Sequence, residues 1–311
     1  MARKRKGDPV HGWVNLDKPY GMGSTQAVGK LRRLLNAQKI GHAGTLDPLA
    51  TGVLPIALGE ATKTIPYAQD AEKTYSFTVT WGEQRSTDDR EGEVVATSHI
   101  RPTEQSIVDI LEKFTGEVTQ IPPVFSAIKI DGQRAYDLAR AGENPEMKPR
   151  IVHIETLELI GTRDDEADFL VTCGKGTYIR SLARDMAKAL GTKGYVSRLR
   201  RERVGCFTAE NAISLDILEK MDYVAARCEA LLPLQTVLDD IPALALKADE
   251  TARLRSGQVL TFSSRPDYQR LIDAGFGQIG IITALAVFEN KPIALIEQEK
   301  AFVKPIRVFN L

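Results

Sequence analysis

The sequence predicts an α+β fold on a mixed or antiparallel sheet, followed by a small β-rich unit. Three observations carry that prediction. Alternating, strand-like segments outnumber amphipathic helical ones, and the two kinds lack the regular β-α order of a parallel α/β chain. After about residue 240 the texture changes to short β-like runs. At 311 residues the chain has room for two domains.

In order, Trp13 to Leu16 reads as a short strand that stops at Asp17-Lys18-Pro19. Gly21 and Gly23 mark a turn. Ser24 is the expected N-cap of a helix over 24–36, with Val28, Leu31, Leu34 and Leu35 on one face. Residues 41–52, GHAGTLDPLATG, carry neither period and read as a structured loop. In 73–81, Tyr75, Phe77, Val79 and Trp81 alternate with polar residues, the pattern of a half-buried strand. A polar, turn-rich stretch (82–92) leads to a helix over 103–114 with Ile107, Ile110 and Leu111 inward. Strands are expected near 124–130, 150–160 and 168–174, then a helix over 177–190. The tail unit begins with a helix over 248–255 and continues as strands near 258–262, 279–287, 292–297 and 302–309.

Composition narrows the function classes. Three cysteines (Cys173, Cys206, Cys228) form no C-x-x-C pair, which argues against a disulfide scaffold and fits a reduced compartment. The longest nearly apolar stretch, 275–288, is interrupted by Gln278 and is too short for a membrane span. The basic start MARKRKGD leads into no apolar core, unlike a secretory signal, so a cytoplasmic protein is expected. The net charge is zero, but it is unevenly distributed. Residues 1–63 hold ten Lys/Arg against four Asp/Glu, and residues 171–206 hold nine against two. These segments read either as one positive surface for a polyanion or as solvated faces balanced locally by acids. The densest run, RLRRER (198–203), fits a strand or a helix edge.

Common cofactor motifs fail. Gly23 to Lys30 has neither the spacing nor the hydroxyl of a phosphate-binding P-loop, and there is no G-x-G-x-x-G. No Cys/His cluster has zinc spacing, and no G-x-S-x-G elbow occurs. The loop at 41–52 remains. Asp47 in such a Gly/Pro-bounded loop serves as nucleophile, Asx-turn former or helix N-cap, and the local residues leave all three open.

GHAGTLDPLATGVLPIALGEATK (41–63) resembles the signature loop of the bacterial TruB-type tRNA pseudouridine synthases. LDKP (16–19), KTY (73–75), GKGTYIR (174–180) and LRR (199–201) stand in that family's order and spacing, so the resemblance spans residues 10–205. It implies a catalytic domain over 10–240 behind a basic tail (1–9). The tail unit, 241–311, sits where the family carries a small PUA-like RNA-binding domain.

The resemblance further implies isomerisation of uridine to pseudouridine at position 55 in the TΨC loop of tRNA. It implies no cofactor and no metal, and a monomer that acts on the T-arm without a protein partner. Asp47 becomes the nucleophile, and a guanidinium, Arg180, keeps its carboxylate charged, best through a bidentate contact. Tyr75 stacks on the target uracil and is a candidate to take the C5 proton. Tyr178 and Leu199 line the base pocket, and His42 fills the gap left by the flipped base. Lys18, Lys63, Arg198, Arg200 and Arg201 are the candidate phosphate contacts. Ala43, where the family usually has Thr, and the acidic 82–93 loop read as harmless variation. Two other readings fit the same motifs: a guide-RNA-dependent synthase of the dyskerin type, and a tRNA folding chaperone with little turnover.

Overall fold

Alternation over 73–81 gives the central strand Lys73–Trp81, which buries Phe77, Val79 and Trp81 on one face and carries Thr74, Ser76, Thr78 and Thr80 on the other. The computed structural model describes residues 6–311 apart from 127, 131, 144, 222–223 and 277–279; residues 1–5 of the basic tail lie outside the described residues. Around that strand forms one mixed sheet. Its order is Ile213–Ser214, Gly12–Lys18, Thr51–Leu58, Gly194–Val204, Lys73–Trp81, Glu166–Cys173, Arg150–Arg163 and Gly116–Gln120. Most neighbours are antiparallel, but Gly194–Val204 meets Thr51–Leu58 in parallel, pairing Arg201 with Gly52. A Cβ on Gly52 would lie 2.2 Å from the Arg201 carbonyl oxygen, and its φ is +99°, so only glycine lets the strands close here.

Two apolar clusters lie side by side on one face of the sheet, and Tyr75 and Leu199 pack against both. Helix Ile179–Ala189 buries Leu182, Ala183 and Met186 against Phe77, Val79 and Phe169. The Phe77 and Phe169 rings stack at 5.1 Å, which contributes about 0.5–1.5 kcal/mol beyond their burial. Helix Ser24–Leu34 seals another cluster with Ala27 and Leu31. It stops because Asn36 turns left-handed at φ 47°.

The C-terminal part forms its own five-stranded sheet, in the order Ala243–Ala245, Ile281–Phe288, Lys291–Glu299, Phe302–Val308 and Leu260–Thr261. Leu285, Leu295 and Phe309 pack against Trp13 and Phe207 of the large sheet in one shared cluster. Among the described residues no helix is long and apolar enough to cross a membrane.

Several sequence expectations shift. Ser24 is not the cap: Gly23 is, and Ser24 is the first helical residue, its hydroxyl turned toward the 41–52 loop. The strand expected near 124–130 is only Lys129–Ile130, and the edge strand is Gly116–Gln120 instead. GEVTQ gave no apolar alternation because one face lies at the solvent edge. Helix Arg265–Asp273 and strand Ala243–Ala245 were not anticipated. Helix Ala248–Arg255 has the expected bounds, and the basic run 198–203 lies in the interior strand Gly194–Val204.

Candidate active site

The loop between strands Ile40–His42 and Thr51–Leu58 is held by side chains from three directions. Ser24 Oγ accepts the Leu46 N–H at 2.8 Å and donates to the Leu46 carbonyl at 2.9 Å. Lys18 Nζ donates to the carbonyls of Met22, Pro19 and Pro48 at 2.6, 3.0 and 3.3 Å. Arg201 donates from Nε to Val53 and from Nη2 to Gly44, at 2.7 and 3.2 Å. Asp47 therefore projects from a backbone fixed on both sides, its side chain 37% exposed on a cleft of about 320 Å³. The cleft is also lined by Tyr75, Tyr178, Arg180 and Leu199.

Arg180 comes from the first turn of helix Ile179–Ala189 and is 4% exposed. Its Nε lies 2.9 Å from Asp47 Oδ2 as an ionic contact without hydrogen-bond alignment. The expected bidentate grip on Asp47 is absent, because the fork is engaged elsewhere. Nη1 donates to the Thr87 carbonyl and Nη2 to the Phe125 carbonyl, both at 2.9 Å. Asp89 Oδ2 approaches Arg180 Nε at 3.6 Å, and Arg184 on the next helical turn binds Asp88 at 2.8 Å. The acidic 82–93 loop is thus part of the wall behind Asp47 rather than surface variation. Burial pushes the Asp88 carboxyl above its ordinary value despite Arg184. The sequence carries one signal for this loop: an Asp-Asp pair flanked by turn residues, in a chain that places arginines one helical turn apart at 180 and 184.

Tyr75 is half-buried, with Arg201 opposite it on one neighbouring strand and Val171 on the other. Burial raises the phenol above its ordinary value, partly offset by the Arg201 guanidinium. His42 ends its strand half-buried. Burial, and then Arg201, hold its imidazole below the usual histidine value, and its Nδ1 has no partner among the described residues. Tyr178 caps helix Ile179–Ala189, with the Arg150 guanidinium 4.7 Å above its ring.

The candidate phosphate contacts divide. Lys18 is fully buried, and desolvation lowers its ammonium to about 8, so it is a loop clamp and not a surface cation. Arg201, 1% exposed, is another clamp. Lys63 pairs with Glu60 and donates to the Val308 carbonyl at 2.6 Å, tying the C-terminal strand to the helical turn Gly59–Lys63 that follows strand Thr51–Leu58. Arg200 pairs with both oxygens of Asp17, at 3.0 and 3.1 Å. Arg198 alone of the five is exposed, beside the exposed Arg90 on an adjoining cleft. The dense basic run is therefore mostly engaged within the fold: Arg200 by Asp17, Arg201 by backbone carbonyls and Arg203 by Glu72.

Two family models match in tandem: TruB family pseudouridylate synthase, N terminal domain, over residues 32–179, and tRNA pseudouridylate synthase B C-terminal domain over 180–242. The chain is 51% identical to a protein named tRNA pseudouridine synthase B from Caulobacter vibrioides, and 47% identical to one from Rhodospirillum rubrum. Both alignments cover 100% of each chain. Among solved structures, a Cbf5–Nop10–Gar1 complex aligns with a TM-score of 0.69 at 25% identity, over 96% of this chain and 84% of that one. An archaeal box H/ACA sRNP Nop10–Cbf5 complex shares the fold, with a TM-score of 0.70 at 22% identity over 100% and 93%.

Proposed function

This chain belongs to the TruB family of pseudouridylate synthases, enzymes that isomerise uridine in tRNA, and we propose that it acts on position 55 in the T loop with Asp47 as nucleophile. The observation that carries the reading is the clamped loop. Three side chains fix the backbone on either side of Asp47, and its carboxylate meets a buried arginine at the cleft. A nucleophile or cation stabiliser gains from such fixation, because little reorganisation remains at the moment of reaction.

In this reading the uridine leaves the T-loop stack and enters the cleft, with His42, neutral at pH 7, filling the vacated place. The carboxylate of Asp47 attacks the nucleoside or stabilises positive charge on the sugar while the N1–C1′ bond breaks. The base turns, a C5–C1′ bond forms, C5 loses its proton and N1 gains one, so the reaction is redox-neutral. Tyr75 stacks on the uracil. Its phenol is already protonated at neutral pH, so it moves the C5 proton only by passing its own onward. Tyr178 and Leu199 line the base pocket. Arg198 neutralises T-arm phosphate. Residues 241–311 form a PUA-like RNA-binding domain behind the 10–240 catalytic domain.

The test uses the full chain and an unmodified tRNA transcript with no other component, and maps the product by primer extension after carbodiimide treatment. A single stop at position 55 supports the reading. Turnover that requires an added guide RNA or protein identifies a guide-dependent enzyme, and binding without product identifies a folding chaperone.

A further inference from the structure

Arg150 opens strand Arg150–Arg163 opposite Gln120 on the edge strand. Its guanidinium lies over the Tyr178 ring, and a Cβ added at Gly176 would sit 3.9 Å from its Cζ. Nε and Nη2 are buried and have no hydrogen-bond partner among the described residues. These two nitrogens share one edge of the guanidinium, from which two N–H bonds project side by side. That edge matches two oxygens of one anion. Buried polar atoms without partners are rare, and two more stand nearby: Gln120 Nε2, across the strand pair, and Ser126 Oγ. Arg150 and Ser126 both line the cleft that holds Asp47 and Tyr75.

We propose that Arg150 is a positioning residue whose Nε/Nη2 edge binds an RNA backbone phosphate flanking the uridine in the cleft. The inference rests on the RNA-modifying reading above. Charge favours phosphate over the uracil carbonyls, because a neutral acceptor would leave a desolvated cation uncompensated. The other cations of this wall are already engaged. Lys73 is held by the Gln69 and Ala71 carbonyls, and Lys175 pairs with Asp70 at 2.8 Å. Stacking on Tyr178 fixes the plane of the guanidinium and couples phosphate capture to the first turn of the helix that carries Arg180.

Two measurements test it together: tRNA affinity against salt, and kinetics by tritium release, for wild type, Arg150→Gln and Arg150→Lys. Arg150→Gln should bind tRNA about tenfold more weakly and lose about one unit of the log–log salt slope, with KM rising more than kcat falls. Arg150→Lys should restore the slope while recovering only part of the affinity. Wild type should also lose affinity for an RNA carrying a methylphosphonate at one of the two phosphates beside the target, and Arg150→Gln should not weaken further. An unchanged slope, or additive penalties from the variant and the methylphosphonate, would overturn the inference. If Arg150→Gln does not fold, undiminished wild-type binding with both neutralised phosphates overturns it instead. Inactivity of the wild type on tRNA would sink the functional reading, an outcome distinct from these.

Discussion

Replacing Arg180 by lysine keeps one positive charge beside Asp47 and removes the fork. The arginine serves three directions from a buried position: the Thr87 carbonyl, the Phe125 carbonyl and the Asp47 carboxylate, each at 2.9 Å. A single ammonium cannot reach all three. Hydrogen bonds from a charged donor contribute about 1.5–3 kcal/mol each, so losing two costs about 3–6 kcal/mol before relaxation. Water reaching the partly buried Phe125 site returns some of this, leaving a net loss of about 2–4 kcal/mol. Against a typical stability of about 5–15 kcal/mol, the variant still folds. Its activity should fall by about a hundredfold or more, because the 87–89 loop and the Asp47 carboxylate lose their common anchor. Urea unfolding reads the first quantity and single-turnover tritium release at saturating tRNA reads the second. A variant within about 1 kcal/mol of wild type and within a few-fold in rate would refute the reasoning, since charge alone would then suffice.

Other outcomes follow from the same geometry. Arg198→Gln should lower the salt slope of tRNA binding by about one unit, whereas Arg200→Gln, whose partner is Asp17, should leave the slope unchanged; equal effects would contradict the division between exposed cations and those paired within the fold. His42 is depressed below its ordinary 6.5, so the unfolded chain binds more protons there. Its contribution to stability is complete above 6.5 and is lost as pH falls through the lower folded value. His42→Phe should therefore flatten the acid side of the urea-unfolding free energy against pH, and an unchanged slope would show that His42 stays exposed to protons.

Much of the fold was legible because local patterns and tertiary burial agree. Phe77, Val79 and Trp81 alternate in sequence and are all buried in one layer. Ala248–Arg255 could be bounded because acidic residues open it and Ser256-Gly257 close it. Polar edge strands such as Gly116–Gln120 carry no such signal, and helix Arg265–Asp273 buries only Leu271, so its apolar period is faint although Ser264 and Pro266 mark its start. The motif loop and Arg180 were reached by resemblance, and the fold brings them together at 2.9 Å. What sequence could not show is which cations point inward. Lys18 and Arg201 look like phosphate contacts until the carbonyls that bind them are seen. Asp89 was missed because its partner Arg180 is distant in the chain and adjacent only through the sheet.

The most direct test of the central claim is tritium release from a tRNA transcript labelled at C5 of uridine, comparing wild type with Asp47→Asn. Pseudouridine formation expels the C5 hydrogen. Wild type alone should release about one tritium per target uridine, and Asp47→Asn should release none while binding tRNA within a few-fold of wild type. Full release by Asp47→Asn, or loss of binding together with activity, would contradict the account: the first removes Asp47 from the chemistry, and the second makes it a structural residue of the loop.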